Sequence, residues 1–296
     1  MSLPARSPSD RDLGPALERY AEVAVRVGLG LRDGQKLLIR AELGAAPLAR
    51  AVLRAAYETG SRLVTVLWSD EASTRLRFAH APEDSFEEYP GYQSRALLAA
   101  LEENTALLSI DSADPDLLRG QDPERVALAA RTAARHNRPL ADAITRFQVN
   151  WCIIAAASPA WAARVFPEHS PEEGVGRLWQ EVFRAVRLEH EDPLAAWDAH
   201  LAELARRKAS LNAKGYAALH FVGPGTDLRV GLAEGHLWEG GAGAAENGVV
   251  CVPNLPTEEV FTMPHRLRVE GVVSATKALS LRGQLVEGIR VRFEGG

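Results

Sequence analysis

Apolar residues follow two different spacings along the first two-thirds of the chain. Helix-type stripes alternate with short apolar runs of strand length. The runs are rich in branched residues, as the buried strands of parallel sheets are. They cover residues 36–40, 63–68, 106–110 and 151–155. This β-α-β order predicts a mostly parallel sheet with helices packed on its faces.

The starts of two helices are specified by local sequence. Ser170 is followed by a proline and, three residues on, by Glu173, which is the pattern of a capping box at a helix amino terminus. Asp122 precedes Pro123, so the aspartate is placed to cap the free amides and the proline to occupy the first turn. Both patterns predict a helix that begins at the proline.

Helical periodicity stops after Gly215, where short strands separated by glycine-rich turns take over. The sequence therefore predicts an α/β chain with two domains. Residues 1–213 would form the mostly parallel sheet with flanking helices, and residues 214–296 a β-rich second domain. The last alternating run, residues 289–293, leaves a strand edge that most folds pair or cover. We therefore expect the second domain to be incomplete.

Composition and charge narrow the class of protein. The chain has 296 residues, 46% of them hydrophobic and 25% charged, as in ordinary globular proteins. A net charge of −5 gives no electrostatic reason to expect nucleic acid or an anionic membrane as a partner. No apolar run has the roughly 20 residues of a membrane-spanning helix. Cys152 and Cys251 lie far apart in apolar runs, which predicts buried reduced thiols and a cytoplasmic location.

The segment from residue 253 to 265 carries the candidate chemistry. Three prolines restrict the backbone around two adjacent carboxylates, Glu258 and Glu259, and favour an extended, rigid chain. Neighbouring side chains of an extended chain point to opposite sides. At most one of the two glutamates would therefore face a given site. The residues alone leave two interpretations open, a metal-binding carboxylate or an exposed acidic loop.

Other catalytic patterns are missing from the sequence, and no catalytic residue is assigned. There is no His-Glu-x-x-His helix, no Cys-x-x-Cys pair, no Gly-x-Ser-x-Gly elbow and no phosphate-binding loop. His220, His236 and His265 lie in the predicted second domain. Each is either a surface or hydrogen-bonded histidine or a group that approaches Glu259.

Residues 254–262, with the sequence NLPTEEVFT, resemble the signature of the aminopeptidase T / aminopeptidase S family of metal-dependent aminopeptidases. Further stretches agree in the same order, at residues 24–29, 149–151, 191–197, 223–228, 231–238 and 268–272. The resemblance implies an enzyme that releases N-terminal amino acids from peptides through metal-activated water. It also implies two divalent ions (zinc, cobalt or magnesium) and a homodimer. Glu259 matches the family's metal ligand, and Glu258 would point away.

The sequence departs from the family pattern in one respect. The family's other ligands, which include a glutamate, histidines and an aspartate, follow in a later part of the second domain that is not found before Gly296. One carboxylate cannot hold two ions, because each ion needs several ligands. Two hypotheses follow: the sequence is a truncated aminopeptidase, or it is a catalytically inactive remnant that dimerises or binds peptides.

Overall fold

The computed structural model describes residues 10–281 and 284–296. They form two compact units. The first unit contains the residues up to Asp198 together with Ala242–Pro256, and the second contains Ala199–Gly241 and Thr257–Gly296. The chain thus passes between the units more than once. The domain boundary predicted near residue 213 stays a prediction.

Helices and a parallel sheet build the first unit. Its helices are α1 (Asp10–Val23), α2 (Ala46–Glu58), α3 (Glu71–His80), α4 (Gly91–Glu102), α5 (Pro123–Thr145), α6 (Pro159–Val165) and α7 (Pro171–Ala185), while α8 (Pro193–Lys214) continues into the second unit. Its strands are β1 (Leu37–Glu42), β2 (Val64–Ser69), β3 (Ala106–Asp111), β4 (Trp151–Ala155), the pair β7 (Gly243–Ala244) and β8 (Val250–Cys251), and β9 (Asn254–Leu255).

The helix starts that the sequence specifies are confirmed. The Glu173 amide donates to Ser170 Oγ (3.4 Å), while the Ser170 amide donates to the Glu173 carboxylate (3.3 Å), which completes the capping box of α7. The Glu124 amide donates to Asp122 Oδ1 (2.9 Å) at the start of α5. These side chains satisfy amides that have no partner within their helix.

The main sheet is parallel, with strand order β2-β1-β3-β4-β9. Its strands alternate between two faces. Leu37, Ile39 and Leu108 are buried on one face. On the other face, Leu38 and Leu107 belong to a buried cluster that also contains residues of α4 and α5. Burial on both faces explains the nearly continuous apolar runs of these strands.

Antiparallel strands dominate the second unit. Its strands are β5 (Ala218–Gly223), β6 (Thr226–Leu232), β10 (Pro264–Ser274), β11 (Leu279–Leu281), β12 (Gln284–Val286) and β13 (Arg290–Phe293). Four of them form a sheet in the order β13-β10-β6-β5, and β11 pairs with β12. The predicted α/β class, with a parallel sheet followed by β-rich structure, is confirmed. Across the part of the chain that the structure describes, no helix combines the length and apolarity needed to cross a membrane.

Both cysteines are buried and free, as the sequence predicts. Burial raises the pKa of the Cys251 thiol to about 11 and that of Cys152 well above its usual range. These thiols are therefore kept protonated and unreactive at neutral pH.

Candidate metal-binding segment

The candidate segment begins as the last strand of the parallel sheet. Residues Asn254 and Leu255 form β9 beside β4, and the Ile153 amide donates to the Pro253 carbonyl (2.7 Å). The peptide bond between Leu255 and Pro256 is cis. The chain then enters the second unit at Thr257, which is buried. The two glutamates follow directly, and both side chains are exposed.

A close approach of two backbones holds Glu259. Glu239 and Phe261 exchange two hydrogen bonds of 2.8 Å as an antiparallel bridge. Gly240 lies next to this bridge with a φ of +145°, and a Cβ atom there would lie only 2.4 Å from the Glu259 carbonyl oxygen. No side chain fits at that distance, so glycine is required for this approach. The backbone of Glu259 is thereby fixed while its carboxylate stays accessible.

The two glutamates have different partners. The carboxylate of Glu259 accepts a hydrogen bond from the Glu258 amide (3.2 Å). The carboxylate of Glu258 instead lies 3.4 Å from Nε2 of His200 on α8. The two adjacent carboxylates therefore have different partners: a backbone amide holds the Glu259 side chain, and His200 lies beside the Glu258 side chain.

His200 is a neighbour of this segment that the sequence analysis does not identify. Its Nε2 also lies 2.7 Å from the Thr257 carbonyl oxygen, and its side chain is only 16% exposed. Because a carbonyl oxygen only accepts, Nε2 carries a hydrogen in this arrangement. A ring nitrogen that carries a hydrogen has no lone pair for a metal ion, so Nε2 is not a ligand in this arrangement. His200 therefore orders the chain at Thr257, and its separation of 57 residues from Thr257 leaves no local sequence signal.

The three histidines considered from the sequence have local partners instead. His220 Nε2 lies 2.7 Å from Asp227 Oδ1 across the β5–β6 hairpin. His236 Nδ1 lies 2.8 Å from the Ala233 carbonyl oxygen. Nδ1 of His265 accepts a hydrogen bond from the Leu267 amide (3.2 Å). These contacts match the interpretation of each as a hydrogen-bonded histidine.

The residues present do not by themselves fit a two-metal centre. Within residues 10–281 and 284–296, no group of three or more His, Cys, Asp or Glu side chains is arranged to hold a metal ion. Catalytic zinc sites use three protein ligands, and calcium or magnesium sites use several oxygen atoms. Glu259 would supply one carboxylate to such a centre.

Comparisons with known proteins give the family. A family model described as thermophilic metalloprotease (M29) matches residues 14–296. Aminopeptidase T of Thermus aquaticus is 50% identical over 280 residues, which are 95% of this chain and 69% of that protein. Aminopeptidase 2 of Geobacillus stearothermophilus is 44% identical, over 95% and 68% respectively. The structure of wild-type AmpT from Thermus thermophilus has a TM-score of 0.91 and 47% identity, covering 96% of this chain and 70% of that one. The chain therefore belongs to the M29 family of metalloproteases.

Proposed function

We propose that this protein is a metal-dependent aminopeptidase that releases N-terminal amino acids from peptides. The observation that supports it most is the 50% identity to aminopeptidase T of Thermus aquaticus across 95% of the chain. The family model matches residues 14–296, a range that includes residues of both units and the segment around Glu259. The substrates of such an enzyme are peptides.

Glu259 is the metal ligand of this proposal. Coordination requires an oxygen atom at a fixed position. The Glu259 backbone meets this need, because it is held against Gly240 and beside the bridge between Glu239 and Phe261. Its exposed carboxylate is open to an ion from solvent. The complete centre would contain two divalent ions, with zinc, cobalt and magnesium as the candidates.

The assembly and location are also proposals. A homodimer follows from the resemblance to the family. The two free, buried thiols support a reducing cytoplasmic location. Sedimentation velocity of the purified protein would give a mass near twice 32.1 kDa for the dimer and one near 32.1 kDa for a monomer.

The decisive experiment is hydrolysis of leucine p-nitroanilide by purified protein after chelation and after addition of cobalt, zinc or magnesium. Glu259→Gln removes the proposed ligand charge and keeps the side-chain shape. Glu258→Gln is the matched control, because it makes the same chemical change one residue away. We expect metal-dependent turnover that Glu259→Gln abolishes and Glu258→Gln preserves.

Two results would contradict the proposal in different ways. Equal loss of turnover in both variants would show that Glu259 has no special role as a ligand. A folded chain without turnover at any of the three metals would instead favour an inactive protein that dimerises or binds peptides. Circular dichroism of each variant establishes that loss of activity is not loss of folding.

A further inference from the structure

The first unit contains a cavity at the carboxyl ends of its parallel strands. The cavity has a volume of about 950 Å³. Its floor is a row of side chains on one face of the sheet, because the register pairs Arg40 with Leu67 and Ser109, and Ser109 with Ile153. Paired residues of a parallel sheet project to the same face. The carboxyl ends of parallel strands are where open α/β sheets bind ligands.

The floor carries a cation that the protein does not neutralise. Arg40 lines the cavity and is exposed, and its guanidinium group has no hydrogen-bond or ion-pair partner within the part of the chain that the structure describes. An arginine side chain is always protonated and presents a planar set of donors that matches a carboxylate. Leu67 lies beside the arginine in this row and Ile153 lies beyond Ser109, and each is an apolar side chain about two-fifths exposed.

Two carboxylates lie one row further toward the carboxyl ends of the same strands. Glu42 follows Arg40 by two residues on β1, so it projects to the same face about 6.6 Å along the strand. Asp111 follows Ser109 by two residues on β3. The Ser112 amide and hydroxyl both donate to Glu42 Oε2 at 3.1 Å, which holds this carboxylate at the rim.

The opposite wall adds neutral donors. Asn137 on α5 uses its side-chain oxygen to accept from the hydroxyls of Tyr89 (3.0 Å) and Ser94 (2.6 Å). These two bonds fix the amide orientation, and its NH₂ group has no partner among the described residues. Gln93 on α4 lines the same wall. The sheet on one side of the cavity and helices α4 and α5 on the other side therefore both present polar groups to a ligand.

We propose that this cavity binds a small zwitterion of dipeptide size. Arg40 would bind the ligand carboxylate, Glu42 and Asp111 its ammonium group, and Leu67 and Ile153 its apolar side chains. A ligand with only negative charge would meet the two carboxylates, and one with only positive charge would meet Arg40. A volume of about 950 Å³ is near the upper end of the range for ligand pockets, about 300–1,000 Å³, and leaves room for more than one amino acid.

The spacing of the two rows along the strands sets the scale of the ligand. The rows of Arg40 and Glu42 are about 6.6 Å apart, since a strand advances about 3.3 Å per residue. An extended dipeptide separates its ammonium and carboxylate groups by about two residue lengths of the same size. A single amino acid carries both groups on one carbon atom and would span the two rows less well. A dipeptide and a free amino acid both carry one ammonium and one carboxylate group, so the same side chains would recognise either. A calorimetric titration with each distinguishes them.

Isothermal titration calorimetry of the full chain in EDTA tests this site without hydrolysis. We expect Leu-Leu to bind more tightly than leucine, and we expect N-acetyl-Leu-Leu and Leu-Leu amide to bind about tenfold more weakly or worse. Arg40→Gln should reduce Leu-Leu affinity by a similar factor. Arg50→Gln, an exposed arginine on α2 outside the cavity lining, is the matched control and should bind as the unchanged protein does.

The site is independent of the proposed catalytic segment, so the two ideas fail separately. Glu259→Gln should leave Leu-Leu binding in EDTA unchanged. Equal binding of capped and uncapped peptides, or no effect of Arg40→Gln, would overturn the zwitterion site. Loss of binding in Glu259→Gln would place the peptide elsewhere and would also overturn it. Tighter binding of leucine than of Leu-Leu would overturn the dipeptide size.

Discussion

Replacing Gly240 by alanine should destabilise the second unit, and the structure gives the size of the effect. At a φ of +145°, an L-residue is strained, and its Cβ would lie 2.4 Å from the Glu259 carbonyl oxygen and 3.0 Å from Val260 Cα. Both neighbours are backbone atoms, so no side chain can rotate away to make room. The chain must separate Gly240 from the segment that carries Glu259.

Two terms add in this substitution. Strain at a positive φ costs about 1–2 kcal/mol. Overpacking against fixed atoms costs about 1–3 kcal/mol more. We therefore expect Gly240→Ala to lower the free energy of unfolding by about 2–5 kcal/mol, a large share of the roughly 5–15 kcal/mol that domains have.

Gly235→Ala is the control that separates the two terms. Gly235 also has a positive φ, +68°, but nothing lies within 4 Å of its Cβ position. Its substitution should therefore show the backbone strain alone, about 1–2 kcal/mol. The assay is urea unfolding followed by far-ultraviolet circular dichroism, with midpoints compared between variants. If Gly240→Ala is no more destabilising than Gly235→Ala, the close backbone approach at Glu259 is wrong.

Three further predictions concern the first unit. Ser170→Ala should raise the pKa of Glu173 toward its ordinary value in an NMR titration, because the hydrogen bond from the Ser170 side chain lowers it. The stability that this hydrogen bond gives the folded protein is present at neutral pH and is lost as the pH falls through the folded-state pKa of Glu173. Tyr20→Phe should cost about 1–3 kcal/mol in urea unfolding, since the buried hydroxyl bonds both the amide and the carbonyl of Ala155. Thiol reagents should label native protein far more slowly than unfolded protein, because burial raises the pKa of Cys251 to about 11; fast labelling of the native state would refute the burial.

Local sequence determined the secondary structure and the class of fold. The helix starts at Pro123 and Pro171 follow from capping residues within three positions of each other, so no distant contact is needed to specify them. The strands of the parallel sheet were visible because burial on both faces requires continuous apolar runs. Two free, buried cysteines were predicted from their apolar surroundings. The motif around Glu259 gave the family, because its residues are contiguous.

Tertiary structure alone decided which distant residues meet. β9 lies in the same segment as Glu259, yet it joins the parallel sheet of the first unit, because pairing with β4 depends on the path of the whole chain. His200 reaches Thr257 from a helix 57 residues earlier, and the need for glycine at position 240 arises from a backbone brought close by a bridge. Arg40 lies beside Ser109 because of the register between β1 and β3. Packing across the sheet sets that register, so no spacing pattern in the sequence reveals it.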